Sequence, residues 1–123
     1  MAGHVVGLAR ACAAAVMVIG LAAQAQAADL SDTAARKFFN DRGCNACHGV
    51  EETRIGQPYR LVAARYAGAS ADIREALSWK IRRGGAGAWG VVPMISNPGV
   101  SQQEADAVVR WILGLEAAER AAR

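Results

Sequence analysis

Apolar residues recur at helical spacing in four stretches that follow residue 30. The stretches cover about residues 31–42, 58–68, 72–83 and 101–115, and Gly43 and Gly68 end the first two. Serine and glutamate at 101 and 104 have the spacing of a capping box, as do aspartate and glutamate at 72 and 75. No stretch alternates between apolar and polar residues as a strand does, so we predict an all-α fold of three to four helices.

Residues 84–99 interrupt this helical pattern. They include five glycines and two prolines, which excludes a regular helix or a central strand and predicts a loop held by other parts of the chain. Trp79 and Trp111 lie on the predicted helices before and after the loop, on apolar stripes. We expect both rings in the core.

The first 27 residues have the three zones of a secretory signal peptide: Arg10 in a basic start, an apolar stretch at 11–23, and a tail of small residues. We predict cleavage after Ala27, which leaves one domain at 28–123. The apolar stretch is shorter than the ~20 residues that span a bilayer, so an uncleaved anchor is the weaker alternative. The chain is therefore expected to be exported to the periplasm.

Cleavage would remove Cys12 and His4, and the remaining two cysteines and one histidine all lie within residues 44–48. These residues read Cys-Asn-Ala-Cys-His. A disulfide framework or a four-ligand zinc site needs more such residues. Cys-x-x-Cys-His is typical of covalent attachment of a c-type haem, here through Cys44 and Cys47, with His48 as an iron ligand. A redox dithiol or a coincidental turn are the alternatives.

Methionine is the natural candidate for a second iron ligand, because no second histidine remains. Met1 and Met17 belong to the predicted signal peptide, which leaves Met94. A single methionine commonly fills a core gap. Met94, however, follows Pro93 in the irregular loop after the haem motif, and His/Met pairs are usual in c-type carriers. We therefore predict that His48 and Met94 bind the iron.

Charge adds little to this picture. The formal net charge is +3, and Arg10 of the predicted signal peptide contributes one of these charges. Two haem propionates would cancel most of the remainder, and no basic stripe indicates nucleic-acid binding. Trp89 lies in the loop, where its indole N–H needs a partner if buried, so we expect it to bind a propionate.

The chain resembles the small bacterial class I c-type cytochromes over about residues 30–115. Besides Cys-x-x-Cys-His, four stretches carry the resemblance: Phe-Phe-Asn-Asp-Arg-Gly before Cys44, Ile-Gly-Gln-Pro-Tyr after it, Lys-Ile-Arg-Arg-Gly-Gly-Ala-Gly-Ala-Trp-Gly-Val-Val-Pro-Met, and Glu-Ala-Asp-Ala-Val-Val-Arg-Trp-Ile. The resemblance implies a compact class I cytochrome c fold around one covalently attached haem c.

The same resemblance implies roles for individual residues. Met94 falls on the position of the sixth iron ligand, while Trp89 and Lys80 fall on positions that bind a propionate. Asn97 falls on the position that donates a hydrogen bond to the methionine sulfur. Phe39 falls on an N-terminal aromatic that packs on the C-terminal helix, with Trp111 among its expected neighbours.

Two positions depart from the family's pattern. The carbonyl that accepts the histidine hydrogen bond belongs to a proline in the family, but Gln57 holds that position here and the proline has moved to 58. We expect the Gln57 carbonyl to accept this hydrogen bond. After Met94, Ile95 and Ser96 replace the usual two prolines, which predicts a softer ligand loop.

These observations favour a non-enzymatic carrier of single electrons. We expect a monomeric, soluble periplasmic protein that shuttles electrons between a membrane respiratory complex and a periplasmic reductase or oxidase. A haem subunit of a periplasmic dehydrogenase or sulfur-oxidising complex is the first alternative. A haem enzyme or gas sensor is the second, and it requires an iron that Met94 does not bind.

Overall fold

The computed structural model describes residues 29–123, so the predicted signal peptide at 1–27 lies outside the described residues. Within that range the chain forms four α-helices and one 3₁₀ turn, and no strand. The helices are α1 (Asp32–Asp41), α2 (Tyr59–Arg65), α3 (Ala71–Arg83) and α4 (Gln102–Ala121), and the 3₁₀ turn covers Cys44–Ala46. The all-α prediction is confirmed.

Three serines begin helices by capping them. The side chain of Ser31 accepts a hydrogen bond from the Ala34 amide, and that of Ser70 accepts one from the Ile73 amide. The predicted capping box at 72 and 75 is therefore wrong. Ser70 has the extended backbone that an N-cap needs, whereas Asp72 already lies in the first turn of α3.

The capping box of α4 is confirmed. The Ser101 hydroxyl accepts from the Glu104 amide at 3.2 Å, and the Glu104 carboxylate accepts from the Ser101 amide at 2.8 Å. This second hydrogen bond, together with one from Arg42, lowers the pKa of Glu104. These two reciprocal hydrogen bonds fix the start of α4, a few residues after Met94.

An aromatic cluster joins α1, α2 and α4. The Phe39 ring is buried, stacks on Tyr59 with centroids 4.5 Å apart, and meets Trp111 edge-on at 5.3 Å. The Trp111 indole N–H donates to Asp32 at 3.0 Å, which satisfies the buried donor. The expected contact between Phe39 and Trp111 is present.

Helix α4 packs against both α2 and α3. Its buried residues Val108, Val109 and Ile112 form part of the core together with Trp111. Trp79 does not join them: its side chain is 56% exposed, so its predicted core position is wrong. In α3, Ser78 is buried and Ile81 packs against the core cluster, and successive residues on a helix point about 100° apart, which leaves Trp79 on the outer face.

The loop at 84–99 is held to α3 and to itself by backbone hydrogen bonds, and the Asn97 amide donates to the Arg82 carbonyl at 3.0 Å. Gly85 and Met94 exchange two hydrogen bonds, of 2.9 and 3.0 Å, in an isolated antiparallel bridge. Gly84 has a φ of 71°, and a Cβ there would lie 2.4 Å from the Met94 carbonyl oxygen. A glycine is therefore needed where the loop returns to the end of α3. No helix among residues 29–123 is long and apolar enough to cross a membrane.

Candidate functional site

One cavity of about 450 Å³ collects nearly all the residues singled out in the sequence. Cys44, Cys47 and His48 line one part of it, and Trp89 and Met94 of the loop line another. Its apolar walls come from all four helices: Phe38, Val62, Leu77, Ile81, Val108 and Ile112. Lys80, Asn97 and Gln57 complete the set of sequence-predicted residues in its lining.

A 3₁₀ turn brings the three residues of the motif together. Gly43 precedes it with a φ of 71°, and the amides of Cys47 and His48 both donate to the Cys44 carbonyl, at 3.1 and 2.9 Å. Cys44 and Cys47 form no disulfide with each other, and both line the cavity. Burial raises the pKa of the Cys44 thiol, and a thioether at this position would not titrate.

The imidazole of His48 is oriented by its surroundings. Its Nδ1 lies 2.7 Å from the Gln57 carbonyl oxygen, so the hydrogen bond expected from the sequence is present. The Tyr59 ring stacks on the imidazole with centroids 5.4 Å apart. Because a carbonyl can only accept, Nδ1 carries the proton and Nε2 keeps its lone pair for a metal.

Gly56 is a residue of the site that sequence reasoning missed. A Cβ on Gly56 would lie 2.4 Å from Cε1 and 2.8 Å from Nδ1 of His48, and its amide donates to the Cys47 carbonyl at 2.7 Å. The peptide at Gly56 therefore packs directly on the imidazole. Its position just before Gln57 was the available signal, because a backbone that supports a ring must approach it closely.

Replacing Gly56 with alanine should destabilise the protein by about 1–3 kcal/mol, the usual cost of inserting a methyl group into a packed site. The ring cannot move away without losing the Gln57 hydrogen bond, so the added Cβ must displace either the loop or the imidazole. Denaturant unfolding of the haem-loaded protein measures the effect. A midpoint equal to that of the unmodified protein would contradict the close approach.

Gly114→Ala is the matched control for this substitution. Gly114 lies within α4, and a Cβ there would meet nothing within 4 Å. Alanine is a better helix former than glycine, so this variant should be more stable by about 0.5–1 kcal/mol. The same methyl addition is thus expected to have opposite signs at the two positions.

Met94 enters the cavity from the loop. Its backbone is fixed by the bridge to Gly85, and its side chain is half-buried among the lining residues. The neighbouring side chains of Val92 and Ile95 are exposed, at 65% and 72%. Met94 and His48 therefore line the same cavity.

Asn97 lies in the cavity lining, but its amide is occupied by backbone. The side-chain nitrogen donates to the carbonyls of Ile81 and Ile95 at 3.2 and 3.3 Å, which uses both of its N–H groups. The hydrogen bond to the Met94 sulfur implied by the resemblance is not among the contacts found in residues 29–123. That role of Asn97 stays a prediction, and it requires one of the two carbonyls to be released.

Trp89 and Lys80 both line the cavity, and each contacts a further polar group. The Arg65 guanidinium lies 4.2 Å above the Trp89 ring, a cation–π contact, and Tyr66 meets that ring edge-on. The Lys80 ammonium donates to the Ala86 carbonyl at 3.3 Å. The lining thus offers an indole N–H and an ammonium group, both of which can donate to a bound carboxylate.

The lining fits a haem. Two thiols and an imidazole come from one turn, the walls are apolar, and donors for carboxylates lie in the same cavity. No cluster of three or more histidine, cysteine, aspartate or glutamate side chains that could hold a metal ion occurs in the described part of the chain. Burial also raises the pKa of Tyr59 beside the motif.

Comparison with known proteins decides the family. The family model for cytochrome c matches residues 33–116, about two thirds of the chain and all four helices in whole or in part. The chain belongs to the cytochrome c family. A cytochrome c of this kind carries a covalently bound haem c, and Cys44 and Cys47 stand in the Cys-x-x-Cys-His position that attaches it.

Individual relatives place this cytochrome c in class I. It is 39% identical to the cytochrome c-551 of Azotobacter vinelandii over 77 residues, which are 63% of this chain and 92% of that protein. It is 45% identical to the cytochrome c-551 of Allochromatium vinosum over 73 residues, 59% of this chain and 77% of that protein. The predicted class I cytochrome c fold and the prediction of an electron-transfer protein agree with these relatives.

The structural comparison gives the same result. The crystal structure of wild-type Nitrosomonas europaea cytochrome c552 superposes with a TM-score of 0.61 at 38% identity, and the match covers 65% of this chain and 98% of that one. The Class 1 cytochrome MtoD of Sideroxydans lithotrophicus matches with a TM-score of 0.54 at 27% identity. The fold of this chain is thus that of a class I cytochrome c.

Proposed function

We propose that this class I cytochrome c is an exported one-electron carrier whose haem iron is bound by His48 and Met94. The observation that carries the proposal is the placement of both side chains in the lining of one apolar cavity, next to Cys44 and Cys47. The haem supplies an iron that changes between the ferric and ferrous states. The chain supplies the ligands, the orientation and the exclusion of water.

His48 is suited to remain bound in both oxidation states. The hydrogen bond to Gln57 fixes the tautomer that leaves Nε2 free, and the close packing of Gly56 and Tyr59 prevents the ring from turning. Outer-shell contacts of this kind also raise the basicity of the ligand. The departure from proline to Gln57 therefore preserves the hydrogen bond.

Met94 would supply a second protein ligand to the iron through its thioether sulfur. Thioether sulfur is a weak donor, so it favours the ferrous state relative to a second imidazole, and we expect a positive reduction potential. With six ligands in both states, little needs to move when an electron is transferred. A closed coordination shell also keeps small molecules away from the iron, which separates a carrier from a haem enzyme or gas sensor.

Trp89 and Lys80 are proposed to bind a haem propionate. Trp89 contributes an indole N–H and Lys80 an ammonium group, and the Arg65 guanidinium above the Trp89 ring adds positive charge. Hydrogen bonds from charged donors to a carboxylate are stronger than neutral ones. These residues would orient the cofactor and hold its carboxylate ionised within a largely apolar cavity.

The partners are proposed to be a membrane respiratory complex and a periplasmic reductase or oxidase, met after export by the predicted signal peptide at 1–27. Lysine within 28–123 is limited to Lys37 and Lys80, so no lysine-rich face is available. Val91, Val92 and Ile95 are 91%, 65% and 72% exposed next to Met94. We propose that partner contact depends on these apolar side chains more than on charge.

A role as a haem subunit of a periplasmic dehydrogenase or sulfur-oxidising complex is the competing proposal. The two roles differ in whether the protein leaves its partner. Gel filtration of the native periplasmic extract, read by haem absorbance, separates them. A free carrier elutes at the size of the isolated domain, whereas persistent co-elution with an enzyme contradicts the shuttle.

A further inference from the structure

Two arginines from different parts of the chain donate to neighbouring backbone carbonyls shortly after Met94. Arg42, which directly follows α1, donates from Nη1 to the Gly99 carbonyl at 3.0 Å. Arg82 of α3 donates from Nε to the Val100 carbonyl at 3.1 Å. Because the two carbonyls belong to consecutive residues, the guanidinium groups hold one short segment from two sides.

Each guanidinium is itself held by a second acceptor. The other terminal nitrogen of Arg42 lies 2.8 Å from the Glu104 carboxylate, and its Cζ lies 5.8 Å from the Phe38 ring centroid. Nη1 of Arg82 donates to the Gln102 side-chain oxygen at 2.9 Å. A planar guanidinium that makes two hydrogen bonds loses little side-chain freedom for each one.

Asn97, which lies closer to Met94 along the chain, is also attached to α3. Its backbone amide donates to the Arg82 carbonyl at 3.0 Å, and its side-chain amide donates to the Ile81 carbonyl. On the other side of Met94, Val91 and Val92 are strongly exposed. Met94 therefore stands at the boundary between a fastened segment, residues 97–100, and an exposed one.

We propose that Arg42 and Arg82 are positioning residues for Met94. They fix the segment 97–100 to α1 and α3, and this attachment sets how often the Met94 side chain leaves the cavity. Departure of the side chain requires the loop to move outward, and a loop attached at residues 97–100 as well as at the Gly85 bridge opens less often than one attached at the bridge alone. The inference rests on the proposed ligation of iron by Met94.

Arg60 provides a matched control for a merely stabilising arginine. It too forms an ion pair with a residue of α4, since its guanidinium lies 3.5 Å from Glu119. The Arg60 and Arg42 side chains are 37% and 35% exposed, so the two substitutions remove an arginine from positions of similar solvent exposure. Arg60 pairs with Glu51 and Glu119 and donates to the Leu115 carbonyl, and none of these partners lies in the loop after Met94.

The test measures how fast carbon monoxide binds to the reduced haem protein. Carbon monoxide needs the position that Met94 occupies, so its binding rate follows the opening of the loop. Arg42→Gln and Arg82→Gln should each raise this rate about tenfold, which corresponds to about 1.4 kcal/mol. Arg60→Gln should leave it within about twofold of the unmodified protein, because its contacts lie outside the loop.

Amide hydrogen exchange gives a second readout that does not depend on the ligand. Two amides of the fastened segment are hydrogen-bonded: that of Asn97 donates to the Arg82 carbonyl of α3, and that of Val100 donates to the Asn97 carbonyl. Both should exchange faster in Arg42→Gln and Arg82→Gln and at the normal rate in Arg60→Gln. If Arg42→Gln does not fold, Arg42→Lys replaces it in the test. Lysine keeps the positive charge but cannot donate from two nitrogens at once, so the rates of amide exchange and carbon monoxide binding should rise by less.

Equal rates of carbon monoxide binding and amide exchange in the Arg42, Arg82 and Arg60 variants would overturn the inference. Failure of the proposed ligation looks different: the unmodified protein would then bind carbon monoxide rapidly. In that case the exchange comparison at Asn97 and Val100 still decides whether the two arginines hold the segment.

Discussion

Met94→Ala is expected to lower the reduction potential and to let the reduced protein bind carbon monoxide. The substitution removes the thioether from the cavity and leaves the His48 side unchanged. Sulfur favours ferrous iron, so its loss favours the ferric state. The identity of the protein ligands changes haem reduction potentials over a range of about 0.8 V. We therefore expect the reduction potential to fall by an amount on the order of 100 mV or more. A redox titration and the spectrum under carbon monoxide measure both effects.

Val92→Ala is the matched control for this variant. Val92 lies two residues away in the same loop and also lines the cavity, but its side chain has no atom that binds iron. It should leave both the potential and the carbon monoxide response close to those of the unmodified protein. An unchanged potential and spectrum in Met94→Ala would refute the assignment of Met94 as a ligand.

Replacing both Cys44 and Cys47 with alanine should abolish covalent attachment of the haem. Each thioether needs a cysteine sulfur, and these are the cysteines that lie in the cavity. Under denaturing conditions the double variant should have the mass of the bare polypeptide, whereas the unmodified protein keeps the mass of a haem. The free energy of unfolding should also fall, because a haem that can dissociate stabilises the native state only while it is bound.

Cys12→Ala is the control for the cysteine variant. Cys12 falls in the predicted signal peptide, so its replacement should leave both the attached haem and the mature mass unchanged. Each single replacement in the cavity should keep one thioether. A double variant that still retains haem after denaturation would contradict attachment through Cys44 and Cys47.

The sequence predicts the parts of the site that depend on residue type and local spacing. The attachment motif is defined by five consecutive residues, and Met94 follows from the scarcity of other ligands. The Gln57 contact could be predicted because it uses a backbone carbonyl, which is available whatever the side chain. The confirmed capping box at Ser101 and Glu104 is equally local.

Other features depend on distant parts of the chain. The packing of Gly56 on His48 and the hydrogen bonds from Arg42 to Gly99 and Glu104 join residues that no spacing rule connects. Trp79 was misplaced for the same reason. Helical spacing assigns Trp79 to an apolar face of α3. Which face of α3 is buried depends on where α4 packs against it.

The most direct test of the central claim is fast voltammetry of the unmodified haem protein under argon and again immediately after carbon monoxide is added. The account predicts one reversible one-electron transition at a positive potential, with superimposed curves, because carbon monoxide can bind only as slowly as the Met94 loop opens. A potential that rises at once would mean that the ferrous iron has an open position. That result would contradict an electron carrier with His/Met ligation.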